Sequence, residues 1–78
     1  MTDEEMMVLL EPIGRGEKNY FPLAHGAQAF NLIQIFGRNP EMHEAVAAWF
    51  AAEKRAGTLN RAVVEAAAKI LMAEKVAA

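Results

Sequence analysis

Few side chains in this sequence could do chemistry, and their spacing limits what each could do. His25 and His43 stand eighteen positions apart, so they could meet on facing helices. With Glu41, Glu44 or Glu65 they would offer the nitrogen and oxygen ligands that a divalent metal takes. The spacing argues against such a site. Neither His-Glu-x-x-His nor Glu-x-x-His is present, and Glu41 and His43, two residues apart, fall on different sides of a helix. Both histidines read as helix-surface or capping residues, and no metal and no cofactor is expected.

Glu65 is the one catalytic candidate. Arg61, Glu65 and Lys69 recur every four residues, a ladder that normally forms solvated surface pairs, so the plainer reading of Glu65 is a surface rung. Glu53 falls in line with Val46 and Phe50 on a helical wheel and reads as a boundary residue at a helix end. Gly14, Arg15 and Gly16 invite a phosphate-cradling reading. A phosphate loop needs a strand before it and a helix N-terminus straight after it; neither pattern is present, and a plain loop is expected. The sequence has no cysteine, which removes disulfides, thiolate catalysis and cysteine-held metals together.

The elements that must position these residues are helices. Of the 78 residues 54% are apolar, many of them alanine, with only five Gly and three Pro, a balance that favours helix over disorder. Asn19–Phe36 contains no Asp, Glu, Lys or Arg. Charged side chains are rarely buried unpaired, so this run is expected to be the interior element that the others wrap.

Four helices are predicted, near 3–11, 22–36, 40–56 and 59–76, in one domain spanning 1–78. Thr2 with Glu5 has the spacing of a capping box, and Pro12 should end the first helix. Pro22 should open the second and Gly37 close it as a left-handed residue. Asn39-Pro40 should start the third, with Gly57 stopping it and Thr58 or Asn60 capping the fourth. Predicted inner faces are Leu23, Ala27, Phe30 and Ile33, flanked by Ala29, Leu32 and Phe36; Met42, Val46, Trp49 and Phe50; and Leu59, Val63, Ala66, Ala67, Ile70 and Ala73, widened by Val64 and Leu71.

A net charge of −2, with bases scattered among acids, gives no nucleic-acid footprint. No run is long and apolar enough to span a bilayer, and the acidic start Thr2-Asp3-Glu4-Glu5 is unlike a secretion signal, so a cytoplasmic location is expected. A chain this small buries only about 60% of its unfolded surface. The second helix is apolar round most of its circumference, so a homo-oligomer is expected, most simply a two-fold dimer with Phe30, Ile33 and Trp49 at the interface.

Residues 39–73, NPEMHEAVAAWFAAEKRAGTLNRAVVEAAAKILMA, carry an Asn-Pro helix start, a Gly-Thr-Leu turn and a glutamate, Glu65, six residues after Leu59. This pattern resembles the N-terminal half of carboxymuconolactone decarboxylase-like and alkylhydroperoxidase-D-like domains, over roughly 19–78. The resemblance implies an all-helical, obligately oligomeric fold with at most Glu65 as a site residue. In that family a Cys-x-x-Cys and a histidine carry the redox chemistry; without cysteine, the resemblance withholds that activity. The sequence thus points to an all-α, four-helix bundle acting as a non-enzymatic oligomerisation or partner-binding module. The alternative is a small-molecule binder or enzyme whose pocket, at a subunit junction, is lined by His25, Trp49 and Glu65.

Overall fold

The computed structural model describes residues 1–52 and 56–77, the side chains of 56, 57 and 77 excepted. Among the described residues there are five helices and no strand: α1 (Asp3–Leu9), α2 (Glu11–Gly14), α3 (Gly26–Phe36), α4 (Pro40–Ala52) and α5 (Ala56–Ala77).

Local capping chemistry sets the first start. The Glu5 amide donates to Thr2 Oγ1 at 3.1 Å while the Thr2 amide donates to Glu5 Oε1 at 2.8 Å, so two otherwise orphaned amides are satisfied reciprocally. The expected helix over 3–11 is split at Leu10. Pro12 has no N–H to continue the ladder, yet it is tolerated in the first turn of a new helix, and α2 forms around it. Of the 14–16 segment expected as a loop, Gly14 is the last residue of α2, and Arg15 at φ 51° and Gly16 at φ 76°, both left-handed, form the turn that follows.

The second predicted helix begins at Gly26, four residues later than expected. Residues 22–24 form a single turn in which the amides of Ala24 and His25 both donate to the Phe21 carbonyl, at 3.0 and 3.2 Å. His25 is then extended, at φ −118° and ψ 109°, which interrupts the helix. The Gln28 side chain fixes this arrangement. Its Oε1 accepts from the Phe21 amide at 2.6 Å and its Nε2 donates to the Asn19 carbonyl at 2.9 Å.

Gly37 is right-handed, at φ −59°, not the left-handed cap expected. Glycine is required there for space: a Cβ would lie 2.7 Å from the Ile33 carbonyl oxygen. Asn39 caps α4 as predicted, its Oδ1 accepting the Glu41 amide at 2.9 Å. The end of the third predicted helix at 53–55, with Glu53, lies outside the described residues. Gly57, Thr58 and Asn60, expected as stop and caps, all sit inside α5, which begins at Ala56.

The helix at the centre is α5, not the charge-free stretch. α1, α3 and α4 each pack on α5, while α3 and α4 hardly touch one another. The physical reason is side-chain size. Val63, Val64, Ala66, Ala67, Ala68 and Ile70 are buried round most of the α5 circumference, and small residues let several neighbouring axes approach closely. α3 buries only Ala29 and Leu32 fully. Phe30, expected at an interface, is 60% exposed and Ile35 is 50% exposed. Ala27 and Ala73, placed inside from the pattern, are exposed. Met6 and Leu10 of the N-terminal segment and Met42 of α4 complete the core.

Candidate functional site

Because α3 and α4 both lean on α5 and diverge from each other, a cleft opens between them. Its wall is formed by Ile33 and Gly37 on the α3 side and by Met42, His43, Val46, Ala47 and Phe50 on α4, enclosing about 300 Å³. The lining is apolar except for His43 at the rim. Phe50, 61% exposed, stands on one lip. Phe30 lies one helical turn before Ile33 and continues the same flank of α3.

A second groove, of about 450 Å³, runs between α4 and α5. Its floor is Ala45, Ala48, Ala62 and Ala66; Glu41, Arg61, Glu65 and Lys69 edge it, and Trp49 and Thr58 close one end. The Trp49 indole N–H donates to Thr58 Oγ1 at 2.7 Å. The Trp49 ring meets Phe50 edge-on, with centroids 5.8 Å apart and planes at 77°, the geometry that aromatic quadrupoles favour. Adjacent on the helix, the two rings nevertheless serve different surfaces: Trp49 the α4–α5 groove, Phe50 the α3–α4 cleft.

Electrostatics in the second groove centre on Arg61. Its guanidinium lies 2.8 Å from Asp3 Oδ1 and 3.6 Å from Glu65 Oε1, all three side chains about half exposed. The hydrogen bond and charge of Asp3, then those of Glu65, push the Arg61 pKa above its ordinary value, so Arg61 stays charged. The Asp3 contact ties the start of α1 to α5. It joins residues 58 positions apart and nothing in the local pattern announces it. Glu65 occupies the expected surface rung with Arg61.

The residues proposed as sites from the pattern are thus divided. Trp49 and Glu65 share the α4–α5 groove. His25 is the N-cap of α3, without a side-chain capping bond, and is not among that groove's lining residues. Ile33 lines the cleft, Phe30 lies one turn before it on α3, and Trp49 is not among the cleft's lining residues. Among the described residues no three His, Asp or Glu side chains gather closely enough to hold a metal ion. No helix among them is long and apolar enough to cross a membrane.

A third feature lies at the α2 corner. The Tyr20 ring packs on Gly14, and its hydroxyl is buried without a hydrogen-bond partner. Burial, and then the nearby Glu17 carboxylate, push the Tyr20 pKa up, which keeps the phenol neutral. Compared with family models, curated proteins and solved structures, the chain matches none.

Proposed function

We propose that this chain is a small non-enzymatic helical module whose work is to bind a protein surface, in the first place a second copy of itself, through the flank formed by α3 and α4. The observation that carries this reading is the apolar cleft between those helices, with Phe50 more than half exposed in its lining and Phe30, equally exposed, one turn before Ile33 on α3. Aromatic side chains bury about 150–250 Å² each and dominate interface energetics, so two of them beside an apolar cleft make an association surface. The likeness of residues 39–73 to a carboxymuconolactone decarboxylase-like half-domain supports an oligomeric, redox-inactive helical fold. The cytoplasm is the setting proposed for it.

Sedimentation velocity across micromolar concentrations tests the reading. The wild type should sediment as a dimer, and Phe30→Asp should shift it to monomer while keeping a helical spectrum, since Phe30 contributes little to the core. A wild type that stays at the 8.6 kDa of one chain at every concentration, with a melt independent of concentration, refutes it.

One observation favours a second reading. Trp49 and Glu65 share the α4–α5 groove, so a small cationic or amphipathic ligand could stack on the indole and pair with the carboxylate. Quenching of the single tryptophan, lost in Glu65→Gln, would support that reading over self-association.

A further inference from the structure

We infer that the α3–α4 cleft is filled by the C-terminal turns of α5 from a second copy, exchanged reciprocally about a two-fold axis. The inference rests on the self-association reading above and names the segment that occupies its surface. α5 has 22 residues and α4 has 13, so α5 is about 33 Å long against about 20 Å for its neighbour. Its buried face stops at Ile70, and every side chain from Met72 to Val76 is exposed. Met72 is 42% exposed and Val76 82%. Four apart, they form one apolar edge on the overhanging turns, and neither lines the cleft of its own chain.

The molecule therefore presents two complementary halves of one contact: a cleft between two helices and a helix end with two apolar anchors, neither of them covered among the described residues. An amphipathic helix laid into an apolar groove through residues at i and i+4 is a recurrent mode of recognition. A second copy supplies the insert and receives one in return, so a single two-fold operation covers both surfaces twice. Area leaves room for a partner of this size. A folded monomer of 8.6 kDa exposes about 4,700 Å² by the usual scaling, whereas this chain exposes 5414 Å². The excess of about 700 Å² approaches the roughly 800 Å² per partner that a standard interface covers.

Complementation between two damaged chains tests the exchange. Ala47→Arg puts a long charged side chain into the cleft at a position already exposed. Met72→Gln with Val76→Gln removes the anchors while keeping good helix formers. Each variant alone should be monomeric, or raise the dimer Kd at least tenfold, with a wild-type helical spectrum and a cooperative melt. Mixed in equal amounts they should form a heterodimer, because the pair retains one intact cleft and one intact helix end on different chains. A Met72→Gln/Val76→Gln protein that dimerises with wild-type affinity overturns the exchange but leaves self-association standing. A mixture that stays monomeric, although each variant is folded, also overturns it. A wild type monomeric at all concentrations removes both readings.

Discussion

Gly14→Ala probes how the α2 corner is held. A Cβ at this position would stand 2.5 Å from Cδ2 and 2.8 Å from Cγ of Tyr20, far inside the separation of about 3.5–4.0 Å at which carbon atoms attract. Cγ is the root of the ring, so a swing of its tip gives no relief; either the rotamer changes or the 15–20 loop moves. Two effects oppose one another. Alanine gains about 0.5–1 kcal/mol over glycine in helical backbone, while overpacking costs about 1–3 kcal/mol. The clash should win, with a net loss of about 1–2 kcal/mol. For a domain of this size 1 kcal/mol moves Tm by about 4–8 °C, so a fall of about 5–15 °C is expected. Melts of Gly14→Ala, Tyr20→Ala and the double variant, followed by far-UV circular dichroism at one protein concentration, close the cycle. Once Tyr20 is truncated, Gly14→Ala should be neutral or stabilising, giving a coupling of about 1 kcal/mol or more. A Gly14→Ala protein that melts at or above the wild type refutes the steric account.

Asn39→Ala should cost about 1 kcal/mol in urea unfolding, because the Glu41 amide loses its cap, and Asn39→Asp should restore most of it. The Thr2 backbone amide, and then the Thr2 side chain, hold the Glu5 pKa below its ordinary 4.5. A carboxylate whose folded pKa is depressed contributes stability that is present above the unfolded pKa and lost as pH falls through the folded one. Glu5→Gln should therefore lose that contribution near neutrality and flatten the stability profile below about pH 4.5, so that variant and wild type converge in acid; an unchanged acid limb would refute the assignment. Glu65→Gln should leave the thermal midpoint within error, since Glu65 is a half-exposed rung beside Arg61. A large loss would instead show that the α4–α5 groove depends on its charge.

Features written within three or four residues were legible. Thr2 with Glu5 and Asn39 with Pro40 act through backbone amides close in sequence, and both helix starts fall where the pattern puts them. What depended on distant residues was not legible. The delayed start of α3 follows from Gln28 reaching back to Asn19 and Phe21, up to nine residues away, so a favourable Pro22 could not decide it. The choice of central helix failed for a related reason. Absence of charge in 19–36 shows that no charge must be solvated there, but the number of neighbours a helix can admit depends on how small its side chains are. Val63–Ala68 is small on every side but that of Glu65, and three helices close on it. The amides and aromatics of 19–36 leave room for fewer.

The candidate surface shows the same limit at the level of single side chains. Trp49 and Phe50 differ by about 100° around α4, and a wheel drawn without knowledge of the neighbours places both on one broad face. Only the position of α5 separates them. Thr58, in the first turn of that helix, accepts the Trp49 indole at 2.7 Å and draws that ring toward the α4–α5 groove, which leaves Phe50 to form a lip of the cleft. The cleft itself corresponds to no residue pattern. It exists because α3 and α4 share a third helix instead of packing on each other, and that is a consequence of how each crosses α5. Helical periodicity fixes which residues share a side of one helix, whereas a gap between two helices is set by axes. An apolar surplus on α3 could therefore be read from the sequence, but its partner across the gap, Phe50 and not Trp49, could not.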